Sequence, residues 1–500
     1  MTQKSATLPP VSDRLSYLWL AAGAVLLMLS TGWFSIAVAA WLAPVFLIRF
    51  FRSQRTGRGY LLTLLGMCVA YGIAWRSILS FNIFESLPVY LVLAFFMGLQ
   101  NSLPFLIDRL LAPRLKGFSA TLVYPLAMTA ITFVYNLVSP IGSFGTIGYE
   151  QITNLALVQL VSITGMWGLT FLVSWLGPVI NWAWERSFRW PDVRRGLLVF
   201  GALVGAVLLC GNLRLTFARA EPATVRIHGF TPMVPDLEGG LDPAVDLEGF
   251  RHHMQEMNDA LIAGSIREAR RGAQIVLWSE WIGGGTEEDA NALIARGQEV
   301  ARQENIYLAM GVGIVYPGED RQMENRLIVI APSGEIVLNH LKYGATFMQG
   351  LLQGDGVLQT VDTPYGKLSG VICWDADFPI VVRQAGNKQV DILLVPNGEP
   401  LLALAQLRAQ MHTFRAIENG FSLVRQDQDK GLSIAVDPYG RILASTDVAT
   451  ASERSIVAQV PTHGVRTIYA VIGDLFGWLA VAGFAVVTGW AILRGRRQEA

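Results

Sequence analysis

Three residues in the second half of the chain have the types that acyl chemistry needs, and each closes a β-rich run. Glu280 follows Ile275-Val-Leu-Trp278-Ser279, Lys342 follows Asn339-His-Leu341, and Cys373 follows Leu368-Ser-Gly-Val-Ile372. A thiol is a weak nucleophile until it loses its proton, so a carboxylate within hydrogen-bond reach activates it. A fixed ammonium then stabilises the oxyanion formed when the thiolate adds to a carbonyl. The backbone N–H of Trp374, just past the thiol, is a second candidate oxyanion donor, and Asp375 beside it a candidate supporting group. Taken singly these residues say little, because a carboxylate after a strand is usually just solvated. As an ordered set at strand ends they point to covalent catalysis through Cys373.

The elements that must hold them alternate between short strands and helices from Thr224 onward. Strands are predicted at Thr224–Gly229, Gln274–Trp278 and Ile306–Val315, with helices at Asp246–Arg270 and Ala290–Glu304. Arg326–Ala331 and Glu335–Asn339 flank a Pro-Ser-Gly turn and read as a hairpin. Strands at Lys367–Cys373 and Asp391–Val395 surround a helix at Phe378–Gly386. A helix at Leu404–Glu418 and strands at Phe421–Gln426 and Leu432–Val436 follow. This alternation predicts a layered α/β domain with its ligands at strand ends. Gly283-Gly-Gly285 lacks the Lys-Ser/Thr of a phosphate loop and reads as a mobile loop at the mouth of the site. His252-His253 point about 100° apart on a helix and cannot chelate from one face, so neither a metal nor a cofactor is expected. Arg415 and Glu418, three apart, are expected to form a structural ion pair.

The rest of the chain is of another kind. Of 500 residues 52% are hydrophobic and only 16% charged, which excludes disorder, a coiled coil and a disulfide scaffold. Thirty-nine basic residues balance 39 acidic ones, so no global field suits nucleic acid. Up to Leu213 the sequence is nearly continuous apolar blocks, Pro222 to Val465 reads as an enzyme, and one more apolar block follows. A membrane-crossing helix needs about 20 apolar residues. Seven candidates precede the enzyme: Leu15–Ser30, Trp33–Phe50, Tyr60–Ile78, Phe84–Ile107, Phe118–Val138, Leu155–Trp184 and Gly196–Leu213. An eighth runs over Ile468–Leu493. The expected division is a membrane domain at 1–219, a catalytic domain at 220–466, and a last helix with a cytoplasmic tail at 467–500.

Charge predicts the orientation. With Lys4 and Arg14 in the cytoplasm, successive hairpins return to Arg49, Arg52, Arg55 and Arg58, then to Arg109, Arg114 and Lys116, then to Arg186, Arg189, Arg194 and Arg195. The last helix ends at Arg494, Arg496 and Arg497, whereas 139–154 has no Lys or Arg. Basic residues collect in cytoplasmic loops, so the catalytic domain is expected outside the cytoplasm. No small-residue cleavage site ends the first block, which argues against a signal peptide. Cys68 and Cys210 read as small packing residues within spans. Trp167, Trp175, Trp182 and Trp184 read as interface anchors.

Trp278-Ser-Glu280, Lys342 and Gly370-Val-Ile-Cys373-Trp-Asp-Ala-Asp-Phe-Pro379 resemble the Glu–Lys–Cys signature of the nitrilase superfamily of carbon–nitrogen hydrolases. Gly148-Tyr-Glu-Gln151, Gln159-Leu-Val-Ser-Ile-Thr-Gly165-Met-Trp-Gly168 and Thr467-Ile-Tyr-Ala-Val-Ile-Gly473-Asp474 resemble stretches of apolipoprotein N-acyltransferases. Arg415-Ala-Ile-Glu418 and the placing of the enzyme between the last two spans resemble that family too. The sequence departs from its pattern: Ser279 stands where Pro precedes the catalytic Glu, and Tyr343–Gly350 lacks the Pro-Phe-Gly-Glu run. Asn397-Gly-Glu-Pro400 replaces an Asn-Asp-Ala-Trp-Phe-Gly stretch, and Cys373-Trp-Asp375 is closer to the soluble nitrilases.

The resemblance implies an α-helical membrane domain of about eight spans plus an extracytoplasmic nitrilase-like domain of α-β-β-α layers, in the bacterial inner (cytoplasmic) membrane. It implies an N-acyltransferase with Glu280, Lys342 and Cys373 catalytic and Trp374 and Asp375 in support. The acyl donor would be a phospholipid, the acceptor the N-terminal amine of a lipoprotein precursor, the surroundings membrane lipid, and the protein a monomer. Phe347 and Leu351, in the Gly-rich segment 343–356, and Tyr149 are the candidate substrate-binding residues. A membrane-tethered amidase that uses water as acceptor is the alternative, and a catalytically silent scaffold a third class.

Overall fold

The computed structural model describes residues 14–77, 86–218, 223–233, 243–318 and 321–499. Lys4, the predicted span ends Ile78 and Phe84, Pro222 and the predicted 219/220 boundary lie outside the described residues. The chain forms two compact units. One is Met1–Val138, Gly145–Thr216 and Ile472–Ala500; the other is Ser139–Phe144 and Phe217–Val471.

The first unit is helical. Among the described residues, five helical stretches are long and apolar enough to cross a membrane: Thr56–Ala74, Leu87–Arg114, Gly117–Val138, Trp190–Thr216 and Leu475–Arg494. Two more apolar helices, Ser16–Leu29 and Ala37–Ser53, pack with them. The predicted span over Leu155–Trp184 is instead broken into Leu155–Val158, Val161–Thr164 and Met166–Trp184. The last break is at Gly165, whose φ of 62° is open to glycine but costly for a side chain. Leu61, Leu65, Val92, Leu198 and Leu479 are exposed, the apolar exterior that suits lipid. Trp167, Trp175 and Trp182 are buried inside this unit, with Trp167 Nε1 donating to Asp474 and Trp175 Nε1 to Thr121, so the N–H groups of these two are satisfied by protein. Cys210 is exposed on its helix and is no packing residue, whereas Cys68 abuts Gly98.

The second unit stacks two sheets. The first has strand order β13-β1-β2-β4-β5-β6, with β3 also paired to β4. Its strands are β1 (Thr224–Phe230), β2 (Ile275–Trp278), β3 (Gly283–Thr286), β4 (Tyr307–Val315), β5 (Glu324–Ile330), β6 (Ile336–Leu341) and β13 (Ser455–Pro461). The second has order β12-β11-β10-β9-β8-β7. It contains β7 (Thr360–Thr363), β8 (Gly366–Gly370), β9 (Ile392–Asn397), β10 (Ser422–Asp427), β11 (Leu432–Val436) and β12 (Ile442–Asp447). β1, β2 and β4 run parallel, as do β8, β9 and β10, while β4, β5 and β6 form an antiparallel meander.

Period-two alternation builds the layers. In β2, Ile275 and Leu277 face Leu368, Ile372 and Leu394 of the other sheet. Val276 and Trp278 face the opposite side, against Leu261 and Leu293 of helices Leu247–Arg270 and Glu287–Glu304. On the far side, Leu393, Val395 and Leu423 pack against helices Pro379–Asn387 and Leu402–Asn419. The result is four α-β-β-α layers, in which each fully buried Leu or Ile stabilises by about 1.5–3 kcal/mol.

Gly283–Gly285 is not a mobile loop but the buried strand β3, in parallel register with β4. Its glycines permit the approach: Gly284 has φ 123°, and a Cβ there would meet Gly313 O at 1.9 Å. Strands β7, β12 and β13 have no counterpart among the predicted elements; β12 is mostly exposed and lacks an apolar run.

Candidate active site

Glu280, Lys342 and Cys373 come together at one end of the two sheets. Glu280 stands two residues past β2, Lys342 directly after β6, and Cys373 three residues past β8. Lys342 Nζ lies 2.6 Å from Glu280 Oε1, and both side chains are buried. Two further donors fix the carboxylate: Asn325 Nδ2 at 2.8 Å from Oε1 and Gly398 N at 2.9 Å from Oε2. Asn325 also fixes the lysine, since its carbonyl accepts from Lys342 N at 2.9 Å. The ammonium has a second partner in Gln349 Oε1, at 2.8 Å.

Cys373 opens a short 3-10 helix, Cys373–Asp377, with φ 48°. That left-handed backbone is costly for a non-glycine residue and is characteristic of sharp turns that present a nucleophile. Asp375 makes the turn possible. Wholly buried, it accepts from Ile372 N (2.9 Å), Tyr343 N (2.9 Å) and Gly344 N (2.6 Å), and lies 2.7 Å from His340 Nε2. Its Oδ1 thus joins the Cys373 turn to the segment after Lys342, and its Oδ2 joins the turn to His340 in β6.

The charges set a resting state. Burial pushes the Cys373 thiol well above its ordinary value and Glu280 adds to this, while Lys342 and Arg408 pull it down and Glu399 pushes it up. Burial pulls the Lys342 ammonium down, but Glu280, Cys373 and Asp375 outweigh it and hold it above the usual lysine value. The site therefore rests as a neutral thiol beside a charged lysine, and the thiolate forms only as its proton leaves.

Trp374 is half-buried, with the Arg408 guanidinium 4.0 Å above its ring. Phe347 stands out at 63% exposure, on the short turn Thr346–Met348. Leu351 is buried at 1% and pairs with Met323, so it packs inward as a core residue because the chain turns back there. The segment after Lys342 is more closely tied than its glycines suggest: Gly354 N donates to Lys342 O and Leu352 N to Met323 O, both at 2.8 Å. Tyr149 lies in the helical unit, fully buried, its hydroxyl 3.5 Å from Met166 Sδ. The expected Arg415–Glu418 pair is formed at 2.9 Å. Asn325, His340, Gln349, Glu399 and Arg408 are not singled out by sequence. One signal points to Arg408: with His412 and Arg415 it repeats at i, i+4, i+7, marking one polar face of its helix.

Comparison with known proteins agrees on both units. Residues 240–469 match the model for carbon-nitrogen hydrolases, and residues 23–179 that for the apolipoprotein N-acyltransferase N-terminal domain. The apolipoprotein N-acyltransferase of Geobacter metallireducens is 23% identical over 404 residues, 76% of this chain and 75% of that protein. That of Rickettsia prowazekii is 22% identical over 405 residues, 76% of each. The deaminated glutathione amidase of Dictyostelium discoideum is 25% identical over 180 residues, 31% of this chain and 61% of that protein. Among solved structures, an amidase from Nesterenkonia sp. superposes with TM-score 0.40 at 21% identity, over 48% of this chain and 91% of that one.

Proposed function

The chain belongs to the apolipoprotein N-acyltransferase family, and from that premise we propose a ping-pong transfer of an acyl chain from phospholipid to a lipoprotein amine through Cys373. It is a membrane-bound acyltransferase with a carbon–nitrogen hydrolase domain. The observation that carries the mechanism is the 2.6 Å contact of Lys342 with Glu280 beside a thiol held in a left-handed turn.

Glu280 takes the thiol proton as Cys373 Sγ attacks an ester carbonyl of the phospholipid. Lys342 Nζ and the Trp374 N–H stabilise the tetrahedral oxyanion. The ester C–O bond breaks, Glu280 returns the proton to the departing lysophospholipid alkoxide, and the acyl group remains as a thioester. The amine of the lipoprotein precursor then attacks the thioester: the C–N bond forms, the C–S bond breaks, and Glu280 passes the amine's proton back to sulfur. Phe347 would contact lipid, and Asp375 holds the turn. Because both substrates are lipids, a membrane domain in the same chain keeps acyl chains in hydrocarbon throughout.

The layout that goes with this reaction is about eight spans, a bacterial inner membrane, both termini cytoplasmic, residues 220–466 outside the cytoplasm, and a monomer. The charge asymmetry of the loops supports the orientation.

Intact-mass analysis of purified protein after incubation with phospholipid tests the mechanism. The expected result is a mass increase of one acyl group, absent in Cys373→Ala, retained in Cys68→Ala and Cys210→Ala, and discharged by an added amine. No adduct, or an adduct surviving in Cys373→Ala, would overturn it. Discharge by water as fast as by amine would select the amidase reading, which the nitrilase-like Cys373-Trp-Asp375 favours.

A further inference from the structure

A buried charged cluster lies beside the nucleophile, outside the set that performs the transfer. Its centre is Arg408, on helix Leu402–Asn419, buried at 1%. Arg408 Nε is 2.9 Å from Glu399 Oε2, and Nη1 is 3.6 Å from Asp377 Oδ2. The guanidinium lies 4.0 Å above the ring of Trp374, the residue next to Cys373, and 5.6 Å from the Phe144 ring. Asp377 Oδ1 in turn is 3.4 Å from His412 Nε2.

Desolvating a guanidinium costs several kcal/mol, so a fully buried one must be held by opposite charge. Here the holding is incomplete: Nε and Nη1 form these ion pairs without an aligned hydrogen bond. The Arg408 charge still reaches the sulfur, since it pulls the Cys373 thiol down. Glu399 is fixed independently, its Oε1 accepting from Leu401 N at 3.1 Å and its carbonyl from Lys430 N at 3.0 Å.

We propose that Arg408 is a positioning residue for the nucleophile, supplying a second positive charge to the Cys373 sulfur, and that Glu399 governs how much of that charge the sulfur feels. This rests on the reading of Cys373 as the nucleophile.

The groups facing each member fix the sign. Cys373 faces Glu280, Lys342, Arg408 and Glu399, with Asp375 two residues on. Glu399 faces Arg408, Arg425 and Asp427; burial lifts its carboxyl to about 7 against the pull of the two arginines. Arg408 faces Glu399, Asp377, Cys373 and Glu280. His412, pushed down to about 4 by burial, stays neutral near pH 7. Below about pH 7 Glu399 is protonated, and Asp377 is the carboxylate still paired with Arg408, so more of the guanidinium's charge acts on the sulfur. Above it the carboxylate forms and opposes the thiolate. As pH rises through neutrality, the thiol thus becomes harder to ionise, and the thiolate fraction climbs less steeply with pH across that range than for a single group.

The test is the rate of Cys373 alkylation by iodoacetamide against pH, in the full chain in detergent, read on the Cys373 peptide so that Cys68 and Cys210 do not contribute. Arg408→Gln is expected to move the midpoint up, lowering the rate near pH 7 on the order of tenfold for each unit moved. Glu399→Gln is expected to move it down and to steepen the curve to a single ionisation, while Arg408→Lys restores most of the original midpoint. Shifts in the same direction, or none in Glu399→Gln, would overturn the proposal with the nucleophile left standing. If Arg408→Gln does not fold, the nearly isosteric Glu399→Gln decides alone. Failure of the unchanged chain to alkylate at Cys373 at any pH would overturn the nucleophile and this inference together.

Discussion

His340 Nε2 lies 2.7 Å from Asp375 Oδ2, and this buried contact joins the strand that ends in Lys342 to the turn that begins with Cys373. Two of the three proposed catalytic groups, Lys342 and Cys373, are thereby held in register by a contact between their neighbours. The same carboxylate accepts three backbone N–H groups, so its removal takes a partner from four groups at once.

Asp375→Ala is therefore expected to destabilise the catalytic unit by about 3–5 kcal/mol, the usual cost of breaking a buried, hydrogen-bonded pair. Asp375→Asn keeps the volume and one acceptor oxygen and should fall between. Thermal unfolding of the purified protein gives the readout. An unchanged melting temperature in Asp375→Ala would show that the turn holds itself.

Glu280→Gln should separate two roles of one carboxylate. An amide cannot take a proton, so acyl transfer is expected to fall by roughly 10²–10⁴-fold. Alkylation of the resting thiol should move the other way, because Glu280 pushes the Cys373 thiol up and its loss leaves Lys342 unopposed. Both rates, measured on one preparation, make the check. Parallel losses in the two assays would mean that the amide has disturbed the geometry and not only the proton transfer.

The parts of this site legible in sequence are those that chain order reveals. Glu280, Lys342 and Cys373 each follow a run of strand-forming residues, and β2, β4, the β5–β6 hairpin and β11 are stretches of strong local pattern. What sequence hides is assembled across elements. Asn325 lies at the start of β5 yet binds Glu280 after β2, and Gly398 after β9 donates to the same carboxylate. Asp427, at the end of β10, holds Asn397 through its side chain and accepts from Gly431 N, which keeps that donor loop in place. β3 reads as a loop because three glycines have no strand propensity; there the close approach of β4, not propensity, decides. The break at Gly165 is invisible because apolar residues run on through it.

The orientation is open to a direct measurement. Fusions of a reporter active only outside the cytoplasm, placed after Leu213 and after Arg497, should give opposite signals, active at the first and silent at the second. The physical basis is the Arg and Lys asymmetry of the loops, with none in 139–154. The same signal at both points would refute an odd number of crossings between them and the outward placing of the catalytic domain.

The segment 343–356 offers a contrast between two apolar residues four apart. Phe347 is 63% exposed and Leu351 1% exposed, so only the first is free to meet an acyl chain, while the second packs inward. Leu351→Ser is expected to cost about 2–4 kcal/mol, through a cavity and a buried hydroxyl, and to lower activity on every substrate alike. Phe347→Ser should leave thermal stability within about 0.5 kcal/mol of the original, as for other exposed positions. Its effect should instead depend on the donor: kcat/KM falls for a long-chain phospholipid and is kept for a short, soluble ester, because the lost contact is one that only a long chain makes. Gln349 lies between them and binds Lys342 Nζ, so movement of the segment reaches the ammonium directly. Equal losses on both donors in Phe347→Ser would make the segment structural. Equal rates on both donors in the unchanged protein would favour the water-using amidase, since an enzyme for lipid gains transition-state binding from the chain.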